Sequence, residues 1–126
     1  NSWLLDILKY LGENGYRIIL TSDHGSICVQ KGVMVKADKD TSTGVRYKVG
    51  RNLNCDEKFS VKVHKPSDYK LPEMGPQSNY LFAKESAFFL YPNQMKKYQN
   101  TIKDSFQHGG ISMEEMLIPV AILEGK

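Results

Sequence analysis

Tyr16–Gly25 reads Y-R-I-I-L-T-S-D-H-G. Ile18, Ile19 and Leu20 form a short apolar run without alternation, the pattern of a strand buried on both faces. Thr21 and Ser22 end the run, and Asp23 and His24 follow side by side before Gly25. An acid and an imidazole at the carboxyl end of a buried strand occupy the place where open α/β sheets hold their ligands. A carboxylate oxygen and an imidazole nitrogen also suit a divalent zinc-like ion. Gly25 lets the chain turn sharply away. Taken alone, D-H-G is more often a surface turn than a ligand site.

A second stretch, Phe106–Leu123, reads F-Q-H-G-G-I-S-M-E-E-M-L-I-P-V-A-I-L. Two glycines follow His108 and permit close approach of the backbone to whatever that imidazole binds. Ser112 and Glu115 fit the S-x-x-E capping box, which predicts a short helix from Met113. Pro119 ends it, and Val120–Leu123 reads as another buried strand. Ser112 is read as a helix cap, not a nucleophile.

T-S-D-H-G and Q-H-G-G-I-S-M-E-E-M-L-I-P-V together resemble the PglZ domain of the alkaline phosphatase superfamily. The stretch Thr41–Asn54, T-S-T-G-V-R-Y-K-V-G-R-N-L-N, is most similar to the PglZ domain of PorX-type response regulators, two-component proteins linked to type IX secretion. The resemblance runs along nearly the whole chain but covers only the C-terminal part of that domain. It implies an alkaline-phosphatase-like α/β fold in which residues 1–126 form one domain. It also implies two zinc ions at the carboxyl edge of the sheet, with Asp23 and His24 on one and His108 on the other. These three side chains are then expected to converge. Two such ions clamp the attacking and leaving oxygens of an in-line phosphoryl transfer. The implied reaction is hydrolysis of a phosphoester, with a nucleotide or oligonucleotide as the indicated substrate. R-Y-K-V-G-R lies where family members place an insert beside the site. Arg46 and Arg51 are therefore candidate substrate-phosphate ligands, since guanidinium suits bidentate phosphate recognition; surface charge is the alternative.

The family also uses a further Asp ligand, a Thr or Ser nucleophile and an Asp-x-x-x-His pair ahead of D-H-G. Ser2 and Asp6 fall on a helix and supply none of these. Catalysis by this chain alone is not expected. The competing reading is a non-catalytic metal-binding or assembly module. A truncated sheet exposes edges and an apolar face, which favours a homodimer.

The 126 residues, 40% hydrophobic and 25% charged, are those of an ordinary soluble domain. No apolar run approaches the roughly 18 residues of a membrane span, and no signal peptide is visible. No membrane partner is expected, and a cytoplasmic setting is the simplest reading. Cys28 and Cys55 have no C-x-x-C spacing, which argues against a disulfide scaffold or thiolate zinc site. Lys31–Lys70 carries ten Lys/Arg against five Asp/Glu, either a solvated face or a rim attracting phosphate. It lacks the basic-aromatic interleaving of a dedicated nucleic-acid binder.

Trp3, Leu4, Ile7, Leu8 and Leu11 have helical spacing over Ser2–Leu11, and helix, turn and strand in that order predict a mostly parallel or mixed sheet with flanking helices. Ile27–Val29 and Val33–Val35 read as short strands, Asp38–Gly44 as a loop, and the alternating Phe59–His64 as a half-buried strand. His64 falls on the polar phase, a surface position. Asn79–Ala83 and Ala87–Tyr91 read as an aromatic-rich β-hairpin whose rings pack the sheet. Pro92-Asn93 opens a helix through about Asp104.

Overall fold

The computed structural model describes residues 2–38, 42 and 44–125; most of the loop expected at Asp38–Gly44 lies outside the described residues. The chain divides into two compact units, one built from its two ends and one from His24–Met116.

The first unit contains helix α1 (Trp3–Glu13) and strands β1 (Ile18–Thr21) and β9 (Val120–Leu123). The helix begins where the apolar periodicity begins, although the Ser2 side chain makes no capping hydrogen bond. Gly15, at φ +75°, takes the left-handed turn that leads from helix to strand. β1 and β9 pair antiparallel, Ile18 opposite Leu123 and Thr21 opposite Val120. Neither strand is buried on both faces as its unbroken apolar run predicts: Ile19 is 60% exposed and Ile122 59%. An apolar run specifies what a strand needs around it, and the two-stranded ribbon of β1 and β9 does not supply that cover.

The second unit carries the core. Its elements are β2 (Ile27–Cys28), β3 (Lys31–Met34), β4 (Tyr47–Gly50), β5 (Ser60–Val63), a 3-10 turn at Pro66–Tyr69, β6 (Asn79–Ala83), β7 (Ala87–Leu90), α2 (Met95–Ile102), β8 (Phe106–Gln107) and α3 (Met113–Met116). β3 and β7 pair in parallel, β4-β6-β5 form an antiparallel sheet, and β2 pairs antiparallel with β8.

The class is mixed α/β built from small sheets. Only β3 and β7 are parallel, so the expected parallel character is confined to one pair among the described residues. The expected hairpin is also corrected. β6 and β7 are both strands, but β6 lies between β4 and β5 while β7 pairs with β3. The Lys84–Ser86 turn, with Glu85 at φ +45°, passes the chain from one sheet to the other.

Period-two alternation in these two strands builds three packed layers. Phe89 of β7 faces Leu81 and Ala83 of β6, together with Val33, Val35 and Leu53. Phe88 and Leu90 face the opposite way onto Val29, with Met95 and Ile102 of α2. Tyr80 and Phe82, on the far face of β6, pack with Val63 and Tyr47. Each fully buried Phe contributes about 1.5–3 kcal/mol, making β6 and β7 the rigid centre of this unit.

Candidate functional site

The backbone just before β4 is fixed to that centre. The Ala83 amide donates to the Arg46 carbonyl at 2.9 Å, and the Phe89 amide donates to the Val45 carbonyl at 2.7 Å. From there the Arg46 side chain runs through the interior. Its guanidinium is wholly buried and meets Glu115 of α3 in a fork: Nε to Oε1 at 2.8 Å and Nη2 to Oε2 at 2.8 Å. Nη1 donates to the Ala87 carbonyl.

Glu115 accepts two further bonds, from the Gly110 amide at 2.9 Å and the Ser112 amide at 3.2 Å. The second is the return half of the predicted capping box. The Glu115 backbone carbonyl accepts the Gly25 amide at 3.1 Å. Burial pushes the Glu115 carboxyl up, but hydrogen bonds from Arg46, Ser112 and Gly110, with the Arg46 charge, outweigh this and hold it below its ordinary value.

These contacts explain the motif glycines. A methyl group at Gly25 would lie 2.0 Å from the Glu114 carbonyl oxygen, and one at Gly110 would lie 2.5 Å from a Glu115 carboxylate oxygen. Gly25 is therefore required by close packing, not by a left-handed turn. Gly109 is the motif glycine with a left-handed backbone, at φ +93°.

The register of β2 on β8 sets Ile27 opposite Gln107, which carries the residues before Ile27 alongside those after Gln107. The result is that His24 and His108, distant in sequence, stack with ring centroids 3.9 Å apart and planes 17° from parallel. Both are exposed. His24 Nδ1–H donates to the Gly25 carbonyl at 2.9 Å; in that tautomer the lone pair sits on Nε2.

Asp23 is exposed and follows β1 in the first unit, whereas both imidazoles belong to the second. Among the described residues there is no cluster of three or more His, Cys, Asp or Glu side chains placed to hold a metal ion. The observed grouping is a histidine pair.

Arg46, a candidate for substrate phosphate, has its guanidinium on Glu115 and Ala87 inside the protein. Arg51 is exposed and lines a cavity of about 680 Å³ with Tyr47, Tyr80, Ser78, Met74 and Asp38. The Tyr47 ring also packs against the histidine loop, because a methyl at Gly109 would lie 3.3 Å from two of its carbons. His64 is exposed, as its polar phase predicts. Lys48 is only 2% exposed, with Nζ donating to the Ser42 carbonyl at 3.1 Å. Two of the basic residues counted toward a positive rim, Arg46 and Lys48, thus point inward.

A family described as the BREX system PglZ alkaline phosphatase-like domain matches residues 2–123. The chain belongs to the PglZ family. That match spans both histidine motifs, Arg46 and Glu115, so all of these are parts of one PglZ domain segment. No curated protein matches the chain.

Sequence reading missed Glu115 as anything but a cap. The S-x-x-E spacing reveals its local bond to Ser112, but nothing in sequence announces a partner as distant as Arg46. Among the described residues, no helix is long and apolar enough to cross a membrane.

Proposed function

We propose that this PglZ chain supplies part of a two-zinc centre for phosphoester hydrolysis, with His24 and His108 as ligands to neighbouring ions and Asp23 joining His24. The observation that carries the reading is the histidine stack. The stack brings two imidazoles from distant parts of the sequence to within 3.9 Å of each other, as ligands of two neighbouring ions must lie close together. Neutral imidazole is the right donor for zinc, and the Gly25 carbonyl holds the His24 tautomer whose Nε2 carries the lone pair. When bound, the ions would supply Lewis-acid stabilisation of the attacking and leaving oxygens. Arg51 is the arginine suited to substrate phosphate, since it lines an open cavity whose Tyr47 wall adjoins the histidine loop.

Three protein ligands are fewer than two zinc ions need, and among the described residues none is assigned as a nucleophile. The complete centre would therefore draw on further residues of a larger PglZ domain. The substrate class we favour is a nucleotide or oligonucleotide phosphoester, and the setting a cytoplasmic PorX-type response regulator. The likeness of Thr41–Asn54 to that group supports the setting.

Zinc titration against a chromophoric chelator tests the reading. The chain should bind zinc, and His24→Ala, His108→Ala and Asp23→Ala should each weaken binding at least about tenfold, in the range typical for disturbing a metal site. Equal affinity in His108→Ala would overturn it. Zinc-dependent phosphodiester turnover by the isolated chain should be negligible; robust turnover lost in Asp23→Ala would refute the partial-site reading.

A further inference from the structure

We infer that Arg46 and Glu115 are positioning residues that set the geometry of the His24–His108 pair. The value of that geometry for zinc rests on the proposed function; the geometric claim stands on the contacts alone.

Glu115 is bonded to both histidine loops by separate groups. Its carboxylate holds the Gly110 amide, two residues after His108, at 2.9 Å. Its backbone carbonyl holds the Gly25 amide, next to His24, at 3.1 Å. Both glycines approach so closely that a methyl at either would collide with the Glu114-Glu115 peptide or side chain. The loops are thus held to one short helix, and that helix is held to the core by Arg46. Arg46 is itself immobilised at both ends. Its backbone is bonded to β6, and its guanidinium is fully engaged by Glu115 and the Ala87 carbonyl of β7. Tyr47, the next residue, braces the same loop by packing its ring on Gly109. A bidentate fork constrains both distance and plane, which a single lysine ammonium does not. Supporting residues of this kind fix first-coordination ligands in direction as well as place.

Two conservative variants separate positioning from mere stability. Glu115→Gln keeps an acceptor for Gly110 but loses the charge-assisted fork, and Arg46→Lys keeps the charge but loses the planar geometry. Nuclear Overhauser contacts between the His24 and His108 ring protons are measured in the metal-free 126-residue chain, with His64 as internal control. The expected result is that both folded variants lose at least about two-thirds of that contact intensity while His64 is unchanged. Their zinc affinity should also fall by about 10–100-fold, the usual effect of disturbing the support of a metal ligand. Folded variants with unchanged ring contacts would overturn the inference. If neither variant folds, amide exchange of the parent chain under rising denaturant decides it. Gly25 and Gly110 should open together, and two independent openings would overturn the inference. A parent chain that binds no zinc refutes the proposed function alone, because the ring contacts are read without metal.

Discussion

Arg46 and Glu115 remove two opposite charges from water, and each makes the other tolerable. Removing one partner leaves an uncompensated buried charge, so Arg46→Ala should destabilise the chain by about 3–5 kcal/mol in urea denaturation. The sign of the pH effect follows from the lowered Glu115 carboxyl. Its contribution is present above the ordinary carboxyl range, roughly pH 4.3, and is lost as pH falls through the folded-state value. Glu115→Gln should therefore flatten the acid limb of a stability–pH curve measured between neutrality and pH 3 or so. Lys48 behaves in the opposite window. Burial lowers its ammonium from 10.5 to about 8. Between those values the unfolded chain holds a proton that the folded chain does not, so stability rises with pH across the interval. Lys48→Met should remove that rise; an unchanged alkaline limb would contradict the assignment.

The elements were legible in sequence where local chemistry settles them. The segments of α1, β5 and α3 were legible, each found with small changes of boundary. However, β5 buries Ser60 and exposes Val61, against the expected alternation. Helix α3 has only the Glu115 half of its capping box, the Ser112 hydroxyl having no hydrogen-bond partner. Pairing partners were not legible. Ala87–Leu90 is apolar at every position, which fits a hairpin strand or a two-faced central strand equally well, and only the tertiary layers distinguish them. The D-H-G and H-G-G motifs marked the right imidazoles, but the reason for their glycines was hidden. Gly25 is a packing requirement imposed by a helix nearly ninety positions later in the chain. Gly25→Ala should thus disturb the second unit because its new methyl meets backbone, which cannot swing aside as a side chain would. Gly12→Ala, where nothing lies within 4 Å of the added methyl, should be neutral or slightly stabilising. Thermal melts of the two variants give the comparison, and equal melting temperatures would count against the packing account.

At the scale of the whole molecule, apolar surface is concentrated in the unit formed by the chain ends. Trp3 is 74% exposed, Val120 63%, Leu117 63% and Ile19 60%. Paired strands with open edges and uncovered faces favour association with a second copy. The isolated chain should therefore self-associate at micromolar concentration, and light scattering at the 14.3 kDa monomer mass would contradict this. Trp3, the single tryptophan, offers a fluorescence reporter if α1 takes part. The β1–β9 pairing also has a consequence in time. Ile18 meets Leu123, so β1 leaves the ribosome long before its partner has been translated. Residues 24–116 form a contiguous unit that can fold in that interval, as domains do during synthesis. Until the last strand emerges, Ile18–Leu20 lacks its β9 partner. In that interval Ile18–Leu20 is the kind of short extended hydrophobic stretch that chaperones bind during synthesis.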